Sequence, residues 1–320
     1  MAGRRRRRRR LRIFKPKAKT RRRLSRIAVS CGIAAILFFL LWLPKKNEWR
    51  RPYRPLPAPV REIPQPVPRG LPSRPPAPLS APLPPISVKP RPGLLKPKIV
   101  LVIDDIGNNL NYQKQLQSLG NRVTYAILPG LRYSKRFAQM GRTTGAEVIL
   151  HLPLETVDGI YPGPGLITDG MEEPAVKKML AQNIASVPDP AGVNNHMGSR
   201  GTADPRLMNI ILRDLKDRGL FFLDSRTTTE SVAFKVGKTI GLPVLRRDVF
   251  LDNEDNADYI YPKIAELKAL ARKRGSAVGI GHYRYNTLVI LAEEIPRLER
   301  DGFEIHSLSE LIEAAKSGNS

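Results

Sequence analysis

From residue 98 onward the chain alternates between two hydrophobic rhythms. Short uninterrupted apolar runs predict strands at 98–104, 122–128, 146–151, 191–196, 220–224, 244–251, 277–281 and 303–307. They are rich in Val, Ile, Leu and Phe, the composition of strands covered on both faces. Between them, stretches with a period near 3.6 predict helices, among them 172–187, 204–218, 256–274 and 287–300. Asp204-Pro205 reads as an N-cap followed by proline at the first helical position, and Gly219, Gly275 and Gly302 stand where helices should end. About eight strand–helix units in some 220 residues predict a parallel α/β barrel, with an open doubly wound sheet as the alternative.

The N-terminal third obeys neither rhythm. Residues 1–26 are dominated by arginine, and residues 27–43 carry no charge at all. The apolar run reaches the roughly 17–25 residues that a membrane-spanning helix needs, and no small-residue cleavage site follows it. It is expected to be a retained signal anchor. The cationic side should stay in the cytoplasm and the rest should be exported. In a bacterium this means a single pass through the inner membrane, with the C-terminal domain periplasmic. Seventeen of the fifty residues from 51 to 100 are proline. Residues 44–97 therefore read as an extended, semi-rigid spacer. The expected organisation is a basic tail (1–26), an anchor (27–43), a proline-rich linker (44–97) and one folded domain (98–320).

Charge changes this picture in one respect. The chain's net charge of +25 resides in the tail and linker, because residues 1–97 hold 26 Lys and Arg against 2 Asp and Glu. The domain holds 28 against 27, so it lacks the basic excess expected of a nucleic-acid binder. The only cysteine, Cys31, lies in the apolar run, which excludes an intrachain disulfide and any cysteine-rich zinc site.

The candidate chemistry sits at the ends of the apolar runs. Asp104-Asp105 ends the first, His151 the third, His196 the fourth, Asp224 the fifth and His282 the seventh. In a parallel barrel those ends converge on one mouth. Two adjacent carboxylates are costly to bury without a cation, and neutral imidazoles are common metal ligands. Glu155 is read as a further ligand or a support for one, and Asn195 as a support or a substrate contact. Asp224 and Arg226 are expected to pair near the mouth, or Arg226 to position Asp104 or bind substrate. His306 alternates with apolar residues and is read as structural.

At these residues the chain resembles the divergent polysaccharide deacetylases, relatives of the NodB-type carbohydrate esterases. Val102-Ile-Asp-Asp-Ile-Gly107 is similar to the family's opening Asp-Asp motif, Asn194-Asn-His196 to its Asn-x-His segment, and Gly281-His282 to its late histidine. Glu155 stands where the main group has the second histidine of His-x-x-x-His. The resemblance implies a NodB-like irregular barrel of seven or eight β/α units. It implies Asp105, His151 and His196 as ligands of a divalent metal, zinc by preference, with Asp104 as base and His282 as acid. The implied substrate is an N-acetylated polysaccharide of the envelope, such as a peptidoglycan-type glycan. Two other readings compete with this one: a non-catalytic envelope-binding or scaffold module that retains a metal site, and a metal-dependent phosphoesterase.

Overall fold

The computed structural model describes residues 96–317. The basic tail, the apolar run at 27–43 and nearly all of the proline-rich stretch lie outside these residues. Among those described, no helix is long and apolar enough to cross a membrane.

Nine strands alternate with eight α-helices among the described residues. The strands are β1 (Lys98–Ile106), β2 (Thr124–Ile127), β3 (Val148–Leu154), β4 (Gly192–Met197), β5 (Phe221–Asp224), β6 (Val244–Arg246), β7 (Val249–Phe250), β8 (Ser276–His282) and β9 (Glu304–His306). The helices are α1 (Gln113–Leu119), α2 (Ser134–Thr144), α3 (Glu173–Ser186), α4 (Pro205–Asp217), α5 (Ala233–Ile240), α6 (Ala257–Arg274), α7 (Tyr285–Arg300) and α8 (Leu308–Ser317). The helix ends follow the local chemistry. Asp204 accepts from the Leu207 amide at 2.5 Å, and α6 closes on Gly275 with a left-handed φ of 84°.

Every strand pairing is parallel, and the sheet runs β6-β5-β4-β3-β2-β1-β8-β7, with β9 added beside the start of β1. The two edge strands of that order, β6 and β7, are separated in sequence only by Arg247 and Asp248. The sheet must therefore curl until its edges meet. The Arg247 amide donates to Asp224 O at 3.0 Å and the next amide, that of Asp248, donates to Val278 O at 2.9 Å. The run expected as one strand at 244–251 is thus split. Its first half pairs with β5 and its second with β8, and it forms the seam of an incomplete barrel. An open doubly wound sheet is excluded by this curl.

Strand alternation separates two cores. On β1, Ile99, Leu101 and Ile103 join the large cluster shared with the surrounding helices. Val100 and Val102 join a smaller cluster with Ala126, Ile149, Leu223, Val278 and Ile280, which fills the barrel interior. Leu308 and Ile312 of α8 belong to the same cluster. Because α8 follows β9, which pairs with the first residues of β1, the helix closes the floor. Glu147 holds it there by accepting from the Leu308 and Ser309 amides at 3.0 and 2.9 Å. A carboxylate at a helix N-terminus satisfies amides that have no partner within the helix.

Candidate active site at the barrel mouth

Following the interior face of each strand toward its C-terminal end leads from the apolar floor to polar side chains. Beyond Val100 and Val102 comes Asp104, beyond Ile149 comes His151, and beyond Val278 and Ile280 comes His282. Simple alternation would turn Asp105 away. The register explains why it does not: Ile103 pairs with Tyr125 and Ile106 with Ile127, so Asp104 and Asp105 together oppose Ala126 alone. This is a β-bulge, which re-aims a side chain at the cost of one ladder position. Asp105 takes a left-handed φ of 63°, a conformation that costs a non-glycine residue energy and tends to mark functional sites.

Three ligand atoms meet beside the bulge. Asp105 Oδ1 lies 3.3 Å from His151 Nε2 and 3.1 Å from His196 Nδ1, and the two nitrogens are 3.0 Å apart. Asp105, His151 and His196 form the one group able to hold a metal ion among the described residues. A tetrahedral ion with bonds of about 2.0–2.1 Å has ligand–ligand edges of roughly 3.3–3.4 Å, so the triangle fits such an ion with little adjustment. Asp105 Oδ1 is buried, yet no donor is aligned on it despite the two nearby imidazoles. The imidazole at 151 is also oriented for ligation. Its Nδ1 lies 2.8 Å from Asn194 Oδ1, while Asn194 Nδ2 donates to Asp104 Oδ1 at 2.9 Å. With the Asn194 amide oriented by the carboxylate, His151 donates from Nδ1 and presents a free lone pair at Nε2.

Electrostatics describe a site that seeks positive charge. Burial pushes the Asp104 carboxyl up from its ordinary value, against the lowering influence of His151 and His282. Burial opposes charge on His151 as well, but Asp104 and Asp105 outweigh it and the imidazole is pushed up. For Asp105, burial is outweighed by the two imidazoles, which hold the carboxyl well below the usual range.

On the neighbouring strand, His282 is the register partner of Asp104. Its Nδ1 lies 2.7 Å from Asp252 Oδ1, and Asp252 Oδ2 accepts from the His282 amide at 2.7 Å and from Thr287 Oγ1 at 2.5 Å. Asp252 is fully buried. Burial opposes the charge on both partners, and their mutual attraction overcomes it, so His282 is raised and Asp252 lowered. The pair leaves His282 Nε2 for a proton-transfer partner.

The remaining expected residues have other duties. Glu155 is not part of the Asp105-His151-His196 group. Its Oε2 accepts from the Asp169 amide at 2.9 Å, and its carbonyl accepts from the amides of Arg200 and Gly201 at 3.1 and 3.0 Å. It pins the base of the 155–169 loop, and His196 from β4 is the third member of the group that could hold a metal. Asn195 is buried and committed to the backbone, donating to Met197 O at 2.7 Å and accepting from Ser225 N at 2.9 Å. It braces the turn after His196, and its neighbour Asn194 bridges His151 and Asp104. Asp224 accepts from the Arg226 amide and from Ser231 Oγ, both at 2.8 Å, so the expected side-chain pair with Arg226 does not form. His306, 3.3 Å from Glu304, lies on β9 at the floor, away from the site. Two residues without an expected role, Asn194 and Asp252, are those that orient the histidines. Both were within reach of the sequence: Asn194 lies two positions before His196 on one strand face, and Asp252 ends the run Val249-Phe-Leu251.

The fold and this constellation define a parallel-barrel α/β domain with a candidate Asp-His-His metal centre. Residues 101–312 match the family model described as divergent polysaccharide deacetylase, and the chain belongs to that family. An uncharacterized protein of Haemophilus influenzae is 35% identical over 206 residues, covering 64% of this chain and 73% of the relative. The uncharacterized protein YibQ of Escherichia coli K12 is 28% identical over 208 residues, 65% of each chain. The crystal structure of an uncharacterized protein from Agrobacterium tumefaciens C58 superimposes with a TM-score of 0.66 at 27% identity, covering 69% of this chain and 92% of that one.

Proposed function

We propose that the protein is a metal-dependent hydrolase that removes acetyl groups from an N-acetylated envelope polysaccharide. The observation that supports it best is the bulge that turns two adjacent carboxylates to different tasks. Asp105 Oδ1 lies 3.3 and 3.1 Å from the two imidazole nitrogens, whereas Asp104 stands farther back, 3.6 Å from His151 Nε2, and is the register partner of the late histidine. A divalent ion, zinc on the ligand set, would be held by Asp105, His151 and His196 and would supply Lewis acidity toward the acetamide. Asp104, kept in place by Asn194, takes the proton of the attacking water. Its burial moves it toward the range where a carboxylate serves as a base. His282, charged by virtue of Asp252, delivers a proton to the departing amine nitrogen.

The test is acetate release from N-acetylated oligosaccharides by the full-length protein, together with its metal content. Acetate release that is lost in Asp104→Asn while the metal is retained is the expected result. A metal-free wild-type protein, or full turnover in His151→Ala, would overturn the reading.

We further propose that residues 27–43 anchor the chain in the inner membrane, with the basic tail cytoplasmic and the domain periplasmic on its proline-rich spacer. The arginine-rich flank and the uncharged run support this orientation. Protease added to spheroplasts should degrade the domain. Protection until lysis would refute the placement.

A further inference from the structure

One cationic side chain at the mouth is not used by the proposed reaction. Arg247 sits in the seam, two positions after Leu245, which packs on the interior cluster. Alternation therefore aims it inward at the level of the polar ring. Its guanidinium is held firmly: Nε donates to Ser225 O at 2.7 Å, Nη2 donates to Arg226 O at 3.0 Å, and the group lies 3.6 Å over the ring of Phe250. Phe250 in turn stacks on His282 with ring centres 5.8 Å apart, and Ser225 Oγ accepts from Asn194 Nδ2 at 3.3 Å. Arg247 thus adjoins both the Asn194–Asp104 side and the His282 side of the site.

No carboxylate lies within ion-pair distance of Arg247 or of the exposed Arg226 among the described residues. The nearest acids are engaged elsewhere. Asp224 accepts from Arg226 N and Ser231, Asp248 pairs with Arg274 at 2.8 Å, and Asp104 accepts from Asn194. Burial first, and the charge of Arg226 second, push Arg247 down to about 10, so it stays charged at neutral pH. Two adjacent cations, one fixed against two carbonyls and an aromatic ring, leave unused N–H donors at the mouth.

We propose that Arg247, assisted by Arg226, forms an anion-binding subsite, so that the glycan bears a carboxylate or phosphate close to the reacting acetamide. A guanidinium presents paired donors that suit either group, and burial strengthens the contact. The inference rests on the carbohydrate reading of this same mouth.

The experiment is calorimetric titration of the full-length protein in detergent. The probes are an N-acetylated oligosaccharide carrying a uronate, the same compound with that carboxylate reduced to the alcohol, and a phosphorylated counterpart. The wild type should bind one acidic form about 10- to 100-fold more tightly than the neutral one, and the tighter of the two acids names the anion. Arg247→Gln should remove most of that preference and Arg247→Lys should keep part of it. Arg226→Gln, altering an exposed side chain, should weaken the preference without disturbing the fold, which guards against an unfolded Arg247 variant. Equal binding of acidic and neutral forms by the wild type, or a preference surviving loss of both arginines, would overturn the subsite. Acetate release serves as a separate readout. Arg247-dependent acid binding without acetate release defeats the deacetylase reading and leaves the subsite. Acetate release that is indifferent to the anion and to Arg247 does the reverse.

Discussion

The lower and upper halves of the barrel interior are built from the same strands and the same alternating positions, yet they are chemically opposite. Below, Val100, Val102, Ala126, Ile149, Val278 and Ile280 form an apolar plug sealed by Leu308 and Ile312. Above, the next interior positions are Asp104, His151 and His282, with Asn194 and Arg247 completing the ring. The change takes a single interior step along β1, β3 and β8. The lower layer lets the upper one exist, because buried charges need a rigid frame and mutual partners to stay in place. The difference also says where each kind of substitution will act: below on folding, above on chemistry.

Asp104→Asn tests the upper layer with the largest effect. It should lower kcat by about 10²- to 10⁴-fold, while the melting temperature should not fall, because a buried carboxylate has been replaced by a neutral isostere. A drop in stability matching the loss of turnover would erase the distinction between the layers. Ile280→Ala tests the lower layer. It should cost roughly 2–5 kcal/mol in denaturant unfolding, with zinc affinity of the folded fraction close to wild type.

Smaller effects probe the supports within the mouth. Asn194→Ala removes the partner that fixes the His151 tautomer, and should weaken zinc binding about 10- to 100-fold in competition with a chelating dye. Asp252→Asn acts through His282. The folded-state pKa of His282 is raised above its ordinary value of about 6.5, so its charged form persists above that pH and is lost as pH rises through the folded value. Without the Asp252 charge that loss comes earlier. The alkaline limb of kcat/KM should therefore move to lower pH, while the limb set by Asp104 stays. Thr287→Val, which deletes one hydroxyl donor to Asp252, should move the same limb less, with a cost of about 1 kcal/mol. An unmoved alkaline limb in both variants would remove His282 as the acid.

Much of this was legible in the chain. Eight apolar runs, several of them ending in Asp or His, match the strands to within a few residues except that 244–251 reads as one strand and holds two, β6 and β7, and Asp204-Pro205 does start α4. What escaped was whatever depends on two strands at once. A one-residue bulge at Asp104–Asp105 is defined by the register against β2, and no local pattern announces it. The division of 244–251 depends on which edge each amide faces. Glu155 misled because its spacing from His151 suggests a ligand, whereas the backbone turns after Leu154 and commits its carboxylate to the Asp169 amide. Asn195 and Asn194 were separable in principle: only Asn194 shares strand parity with His196. The basic tail, the apolar run and most of the spacer lie beyond the described residues, and their roles rest on composition and charge.

The seam has a consequence for motion. Most strands of a closed barrel are locked to a neighbour along several successive residues, but here closure passes through a strand that changes sides at Arg247 and Asp248. The amide of Arg247 looks to β5 and that of Asp248 to β8, so the wall is thinnest at this step. Local opening there needs only a few hydrogen bonds to break, far fewer than unfolding of the floor. These two amides should exchange with solvent sooner than those of Val100 or Val102. Because Arg247 adjoins the mouth, each such opening would also loosen the rim of the cleft.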